Sequence, residues 1–220
     1  MRRHVCGARE EVARLRAEVV RLRRELVVER DAADHDVLTG LLNRRGFYHR
    51  AGRVLAGPAG QPVCVLMLDL DGFKQVNDAH GHRAGDQVLV TVANRLATRL
   101  GDGWWCARLG GDELTAVHTG PLARPPLAVA GTLAGLVASP IRAAGNDVRV
   151  GAAIGVATAT TPVALGDLLG RADTAMYRAK CQGHPVLWTP THEDVAQSRA
   201  LLRTRDLPVP AVDDPFPVGV

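Results

Sequence analysis

The run Val63-Cys64-Val65-Leu66-Met67-Leu68-Asp69-Leu70 carries one polar side chain in eight residues. A run this short suits a strand, and a strand apolar at successive positions must be covered on both faces. That demands a sheet with helices packed around it, an α/β (α+β) arrangement. The exception, Asp69, nearly closes the run. A carboxylate at the end of a buried strand needs a partner, because an unpaired buried charge is expensive. A metal ion is one such partner; an arginine or a helix N-terminus is another.

Further along, Arg108-Leu109-Gly110-Gly111-Asp112-Glu113-Leu114 joins two short apolar stretches, Trp104 to Arg108 and Leu114 to His118. Two strands joined by a glycine pair predict a hairpin whose turn is the four residues 110–113. Both glycines are expected at positive φ, leaving room for a phosphate above the backbone. Asp112 and Glu113 at its edge are hard oxygen ligands of the kind magnesium prefers. An ordinary glycine-rich turn with solvated acids is the alternative.

Composition narrows the classes. A chain of 220 residues fits one domain with extensions, and 46% hydrophobic residues suffice for a core. No apolar run reaches the roughly 20 residues of a membrane-spanning helix, and the arginine-rich start lacks the apolar centre of a signal peptide. The expectation is a cytoplasmic protein with no membrane partner. Cys6, Cys64, Cys106 and Cys181 show no paired metal spacing and are expected as reduced thiols. The net charge of +4 resides in residues 1–30, with nine arginines against five glutamates; the remainder balances 18 bases with 18 acids. A neutral globular part with 4% aromatic residues argues against nucleic acid as a partner.

Val5, Val12, Val19 and Leu26 recur every seventh residue, with Ala8, Leu15 and Leu22 between them. This seam predicts a coiled coil over residues 1–34. With these residues at a and d, Glu11, Glu18 and Glu25 fall at g, and Arg16, Arg23 and Arg30 fall at the following e. Each acid then faces a base in a parallel homodimer. A solvated amphipathic helix is the alternative.

After an acidic break at Asp31 to Asp36, a turn leads into a helix ending near Leu55, which Gly57 to Gly60 terminates. Residues 71–78 continue the central strand into a turn and a short helical stretch. A long helix then carries Val88, Leu89, Val92 and Leu96 inward and ends near Gly101. Beyond the hairpin, a helix is expected at Leu127 to Ala138, a strand at Val148 to Val156, a helix at Leu165 to Ala179 and an edge strand at Val186 to Trp188. A further helix at Thr191 to Arg203 and a proline-rich, disordered tail complete the chain, so that residues 35–190 form the domain and 191–220 an extension.

Five stretches stand together: Asp36 to Arg45, Asp69 to Asp86, Ala107 to Leu114, Ile154 to Ala157 and Ala172 to Lys180. Their order and spacing resemble the GGDEF domains, the diguanylate cyclases that condense two GTP molecules into cyclic di-GMP. The resemblance covers residues 36–188 and implies a polymerase-palm-like, nucleotidyl-cyclase-like central sheet flanked by helices. In such a reaction a 3′-hydroxyl attacks an α-phosphate and pyrophosphate leaves, so charge must be neutralised on both oxygens.

The resemblance implies roles residue by residue. Asp69, Asp112, Glu113 and the backbone carbonyl of Leu70 match the ligands of Mg2+ (or Mn2+). Glu113 is assigned to metal binding, to activating the hydroxyl, or to both. Asn77 and Asp86 match the guanine contacts, for which a carboxylate accepting from N1 and N2 and an amide beside it are suited. A turn residue and a helix cap are the alternatives for these two. Lys74 and Lys180, the only lysines among 27 basic residues, both stand at motif positions. Lys180 matches a terminal-phosphate contact. Phe73, Gly110, Gly111 and His184 complete the expected substrate site.

Departures qualify the match. His184 stands where an arginine is usual, Ala153 where a serine is, and Leu114 where a phenylalanine is. The ends of the family's product-inhibition motif are here Gly101 and Trp104, which implies no feedback through that site. Two functions follow: a cyclase working as a homodimer, and a catalytically silent GTP-binding scaffold.

Overall fold

The structure, a computed structural model, describes residue 11 and residues 14–25 and 32–190. The expected helix at Thr191 to Arg203, the tail and the outer heptads lie outside these residues. Residues 14–25 form a helix, α1. Its seam residues Leu15, Val19 and Leu22 are 45–55% exposed, so among the described residues this seam is not covered. Arg21 pairs with Glu18 and Glu25 along the same helix.

The domain runs α2 (Arg44–Leu55), β1 (Pro62–Asp71), α3 (Phe73–His80), α4 (His82–Leu100), β2 (Trp104–Gly110), β3 (Glu113–Thr119), α5 (Pro126–Val137), β4 (Ile141–Ala143), β5 (Asn146–Val148), β6 (Gly151–Thr160), α6 (Leu165–Gln182) and β7 (Val186–Leu187). Five strands form one sheet in the order β2-β3-β1-β6-β7. All its pairings are antiparallel except β6 with β7. The apolar run thus occupies the centre, flanked by β3 and β6.

Alternation along β1 divides the core in two. Cys64, Leu66, Leu68 and Leu70 pack with α3, α4 and α5 through Val76, Val88, Leu89, Val92, Leu96 and Leu133. Val63, Val65 and Met67 pack on the other face with Phe47, Ala51 and Leu55 of α2 and Leu168, Ala172 and Met176 of α6. Each fully buried Leu, Val or Met side chain contributes about 1.5–3 kcal/mol, so β1, with leucines on one face and valines and Met67 on the other, is held from both sides. Burial also pushes the thiols of Cys64 and Cys106 up to about 12.

α6 lies unusually close to the sheet because Gly155 has no side chain. A Cβ there would come within 2.0 Å of the Ala172 carbonyl oxygen and 2.2 Å of the Met176 nitrogen. On the opposite side, Arg95 of α4 donates to the carbonyls of Leu136, Ser139 and Pro140, tying off the C-terminus of α5.

Two expectations need correction. The strand expected at Val148 to Val156 is two elements: β5 ends at Val148 in a separate ribbon with β4, and β6 begins at Gly151. The ribbon turns at Ala144 and Gly145, both at positive φ, and the apolar residues on either side of residues 149–151 hide that break. The expected four-residue hairpin turn is also tighter, since Gly110 and Glu113 pair with each other and only Gly111 and Asp112 lie between the strands.

Candidate active site

Asp69 shares its alternation with Val63, Val65 and Met67, so it belongs to the face covered by α2 and α6. Glu113 is its direct cross-strand partner, following Leu114 opposite Leu68. Like charges facing each other across an antiparallel pair repel. A cation relieves that repulsion, and it comes from α6: the Lys180 ammonium binds Asp69 Oδ2. Asp69 is thus satisfied by a lysine, neither by an arginine nor by a helix terminus. The hydrogen bond to Asp69 holds the Lys180 ammonium above the usual lysine range against the effect of burial, with further attraction from Asp71 and Asp112.

Asp71, which sequence reasoning passed over, belongs to the same cluster. Its carboxyl is pushed up by burial first and then by repulsion from Asp69, with Lys180 opposing. Parity was the available signal, since Asp71 lies two residues beyond Asp69 on the same face.

The hairpin tip is shaped by a bulge at Leu109 between the pairs made by Arg108 and Gly110. Only Gly111 takes a positive φ, +31°; Gly110 does not, which corrects the expectation for the pair. A Cβ on Gly111 would meet nothing within 4 Å and one on Gly110 only Glu113 Oε2 at 3.9 Å, so the space above both glycines is open. Arg108 anchors the tip. Its Nε donates to the Gly111 carbonyl at 2.9 Å and its Nη1 to Asp36 Oδ1 at 3.2 Å. Burial alone would raise the Asp36 carboxyl, but bonds from the Thr39 hydroxyl and amide and from Arg108 hold it below the usual carboxylate range.

The remaining candidates group on α3 and α4. Asn77 lies inside α3, so it is no turn residue, and Asp86 sits in the second turn of α4, past the cap at Gly81. Both bland alternatives therefore fail. Asn77 is half-buried and Asp86 exposed, and neither side chain has a hydrogen-bond partner among the described residues. Phe73 opens α3 and packs against the core, while Lys74 beside it is exposed. His184 lies beyond the end of α6, exposed, with Nδ1 3.1 Å from the Pro185 carbonyl. The Leu70 side chain points into the α3/α4 core, away from Asp69. Gly101 caps α4, and the Trp104 ring meets His118 at a tilt of 51° with ring centres 5.1 Å apart.

No group of three His, Cys, Asp or Glu residues among those described is arranged to hold a metal ion. The charge pattern nevertheless suits one. The Lys180 ammonium stands in for a small cation near Asp69, Asp71 and Asp112. Carboxylate oxygens are the donors magnesium takes, and Lys180, 43% exposed, has space to withdraw.

A mostly antiparallel sheet with helices on both faces and an acidic hairpin beside its central strand defines a mixed α/β domain with carboxylates gathered at one end. The family model described as "Diguanylate cyclase, GGDEF domain" matches residues 33–185, and the chain belongs to that family. Among its relatives, diguanylate cyclase TpbB of Pseudomonas aeruginosa is 43% identical over 68% of this chain and 36% of its own length. Diguanylate cyclase DgcM of Escherichia coli is 37% identical over 69% of this chain and 37% of its own. The chain thus spans less than two fifths of these relatives. The solved coiled coil and GGDEF domain of DgcB from Caulobacter crescentus, in complex with c-di-GMP, superposes with TM-score 0.70. It is 29% identical and covers 82% of this chain and 97% of that one. The GGDEF domain of TpbB gives TM-score 0.63 at 38% identity, covering 74% and 99%. Among the described residues no helix is long and apolar enough to cross a membrane.

Proposed function

We propose that the chain is a diguanylate cyclase that condenses two GTP molecules into cyclic di-GMP and two pyrophosphates, each domain of a homodimer contributing one nucleotide. The observation that carries this reading is the gathering of Asp69, Asp71, Asp112 and Lys180 at the hairpin, with Glu113 directly across from Asp69. Membership of the family supports the reaction class.

Asp69, Asp112, Glu113 and the Leu70 carbonyl would hold Mg2+ (or Mn2+). When bound, the ion neutralises charge on the reacting phosphate oxygens and lowers the pKa of a coordinated hydroxyl. The protein's part is placement. Gly110 and Gly111 leave the space above the turn open for the triphosphate, and Lys180, released from Asp69, takes a terminal phosphate oxygen. Lys74 adds charge at the edge and His184 a ring-nitrogen contact, while Asn77 and Asp86 receive guanine against Phe73. A carboxylate and an amide left unpaired by adenine would select against it.

The 3′-hydroxyl that attacks each α-phosphate and displaces pyrophosphate must come from the other nucleotide, so the second domain completes the site. The exposed seam Leu15, Val19 and Leu22 supports pairing through α1, as does the likeness to a DgcB structure that includes a coiled coil. Pairing raises the effective concentration of one half-site for the other.

One observation favours a second reading, a silent GTP-binding scaffold: His184 bonds the neighbouring Pro185 carbonyl where a fixed cation is usual. Incubating the protein with GTP and magnesium, beside Asp112→Ala, decides between them. Cyclic di-GMP from the wild type alone supports the cyclase; nucleotide binding with no product at any protein concentration establishes the scaffold.

A further inference from the structure

Gly85 is buried in the second turn of α4, immediately before Asp86. Its missing side chain is filled by another residue. A Cβ built there would lie 2.0 Å from Asn77 Oδ1, 2.9 Å from Asn77 Cγ and 3.2 Å from Phe73 Cζ. The first two distances are ones that real Cβ atoms essentially never show, so a side chain at 85 would have to displace the Asn77 carboxamide. Asn77 and Phe73 belong to α3, which meets α4 at Gly81, so the glycine is where one helix receives the side chains of the other.

We infer that Gly85 is a specificity-determining positioning residue: it seats the Asn77 amide beside Asp86, so that the two polar groups address one purine edge together. This rests on the guanine-nucleotide reading above. Three observations carry it. The Asn77 side chain has no hydrogen-bond partner among the described residues, and its carboxamide lies over Gly85. Asp86 follows Gly85 in the chain, so the seat and the carboxylate are set by one turn of backbone. Glycine in a helix interior is unfavourable relative to alanine, and here the displaced volume explains why the position is glycine. Gly85 touches no substrate itself. It acts through Asn77, whose amide is the selective group.

The test is a double-mutant cycle with Gly85→Ala and Asn77→Ala in the full chain. Binding is measured with GDP and ADP, which lack the third phosphate and so give no turnover. In the wild-type background, Gly85→Ala is expected to weaken GDP binding about 3- to 10-fold, the worth of one neutral hydrogen bond, with little change for ADP. In the Asn77→Ala background the same change should alter GDP binding less than about 2-fold, because the group it displaces is already gone. Thermal unfolding gives a readout independent of ligand. Gly85→Ala should raise Tm less beside Asn77, whose carboxamide it must displace, than beside Ala, where alanine's helix preference is unopposed; equal shifts in both backgrounds count against the seat.

Equal losses of GDP binding in both backgrounds, or a loss shared equally by ADP, would overturn the inference. If Gly85→Ala alone fails to fold, recovery of folding in the double variant supports the seat, and failure of both variants overturns it. A wild-type protein that binds GDP no better than ADP removes the guanine reading and this inference with it. The Tm cycle still reports the contact in that case, so failure of the seat and failure of the guanine reading are distinguishable.

Discussion

The two ends of the candidate site are held in opposite ways. At the hairpin end, carboxylates are crowded together and the chain supplies its own cation, Lys180, to Asp69. At the α3/α4 end, Asn77 and Asp86 have no polar partner among the described residues; Asn77 lies against Gly85 where the two helices meet, and Asp86 follows it in the chain. The first end is kept in register by charge and by the β1/β3 ladder; the second is kept by shape. Loss of a charge should therefore be felt in chemistry, and loss of shape in selectivity.

The largest effect is expected at the charged end. Asp69→Asn should lower cyclic di-GMP formation by about 10³-fold or more, with little loss of Tm, since a neutral isostere still accepts from Lys180. A drop below 10-fold would place the chemistry elsewhere. Gly155→Ala attacks the same end through packing. The α6 backbone leaves no space for a methyl group, so the cost should be about 1–3 kcal/mol, the usual range for overpacking, read by chemical denaturation. At the shape-held end, Asn77→Ala should weaken GDP binding about 10-fold with unchanged denaturation midpoint; a loss of stability as large as that of Gly155→Ala would erase the contrast between the ends.

The smallest effect concerns Asp36. Its carboxyl is held below the usual range, so its folded pKa lies under the unfolded value of about 3.9. The stability it contributes is present above about pH 4 and is lost as pH falls through the depressed value. Arg108→Ala should therefore cost about 1 kcal/mol near neutrality, and the gap from wild type should narrow below pH 4. A gap that stays constant down to pH 2 would assign the cost to lost packing of the arginine stem.

Most of the elements were legible because their signals were local. The apolar run of β1, the period of α4 and the glycines after α2 each name an element without outside help. The β4/β5 ribbon was not, because its strands are three residues each and its turn uses Ala144, a residue that rarely takes positive φ. In the site, the acids and lysines were visible as residue types out of keeping with their surroundings. Their pairing was not: nothing local says that Lys180 will reach Asp69, because that contact depends on how closely α6 rests on Gly155. The grip of Arg108 on Asp36, 72 positions away, is equally invisible in one dimension.

That grip has a mechanical consequence. Arg108 holds the segment before α2 with one nitrogen and the carbonyl of the turn residue next to Asp112 with another. The point where the chain enters the domain and the tip that carries Asp112 are thus pinned by a single rigid guanidinium plane, leaving little slack between them. Asp36 at the entry to the domain and the turn beside Asp112 are therefore tied through one side chain, carried on the edge strand β2.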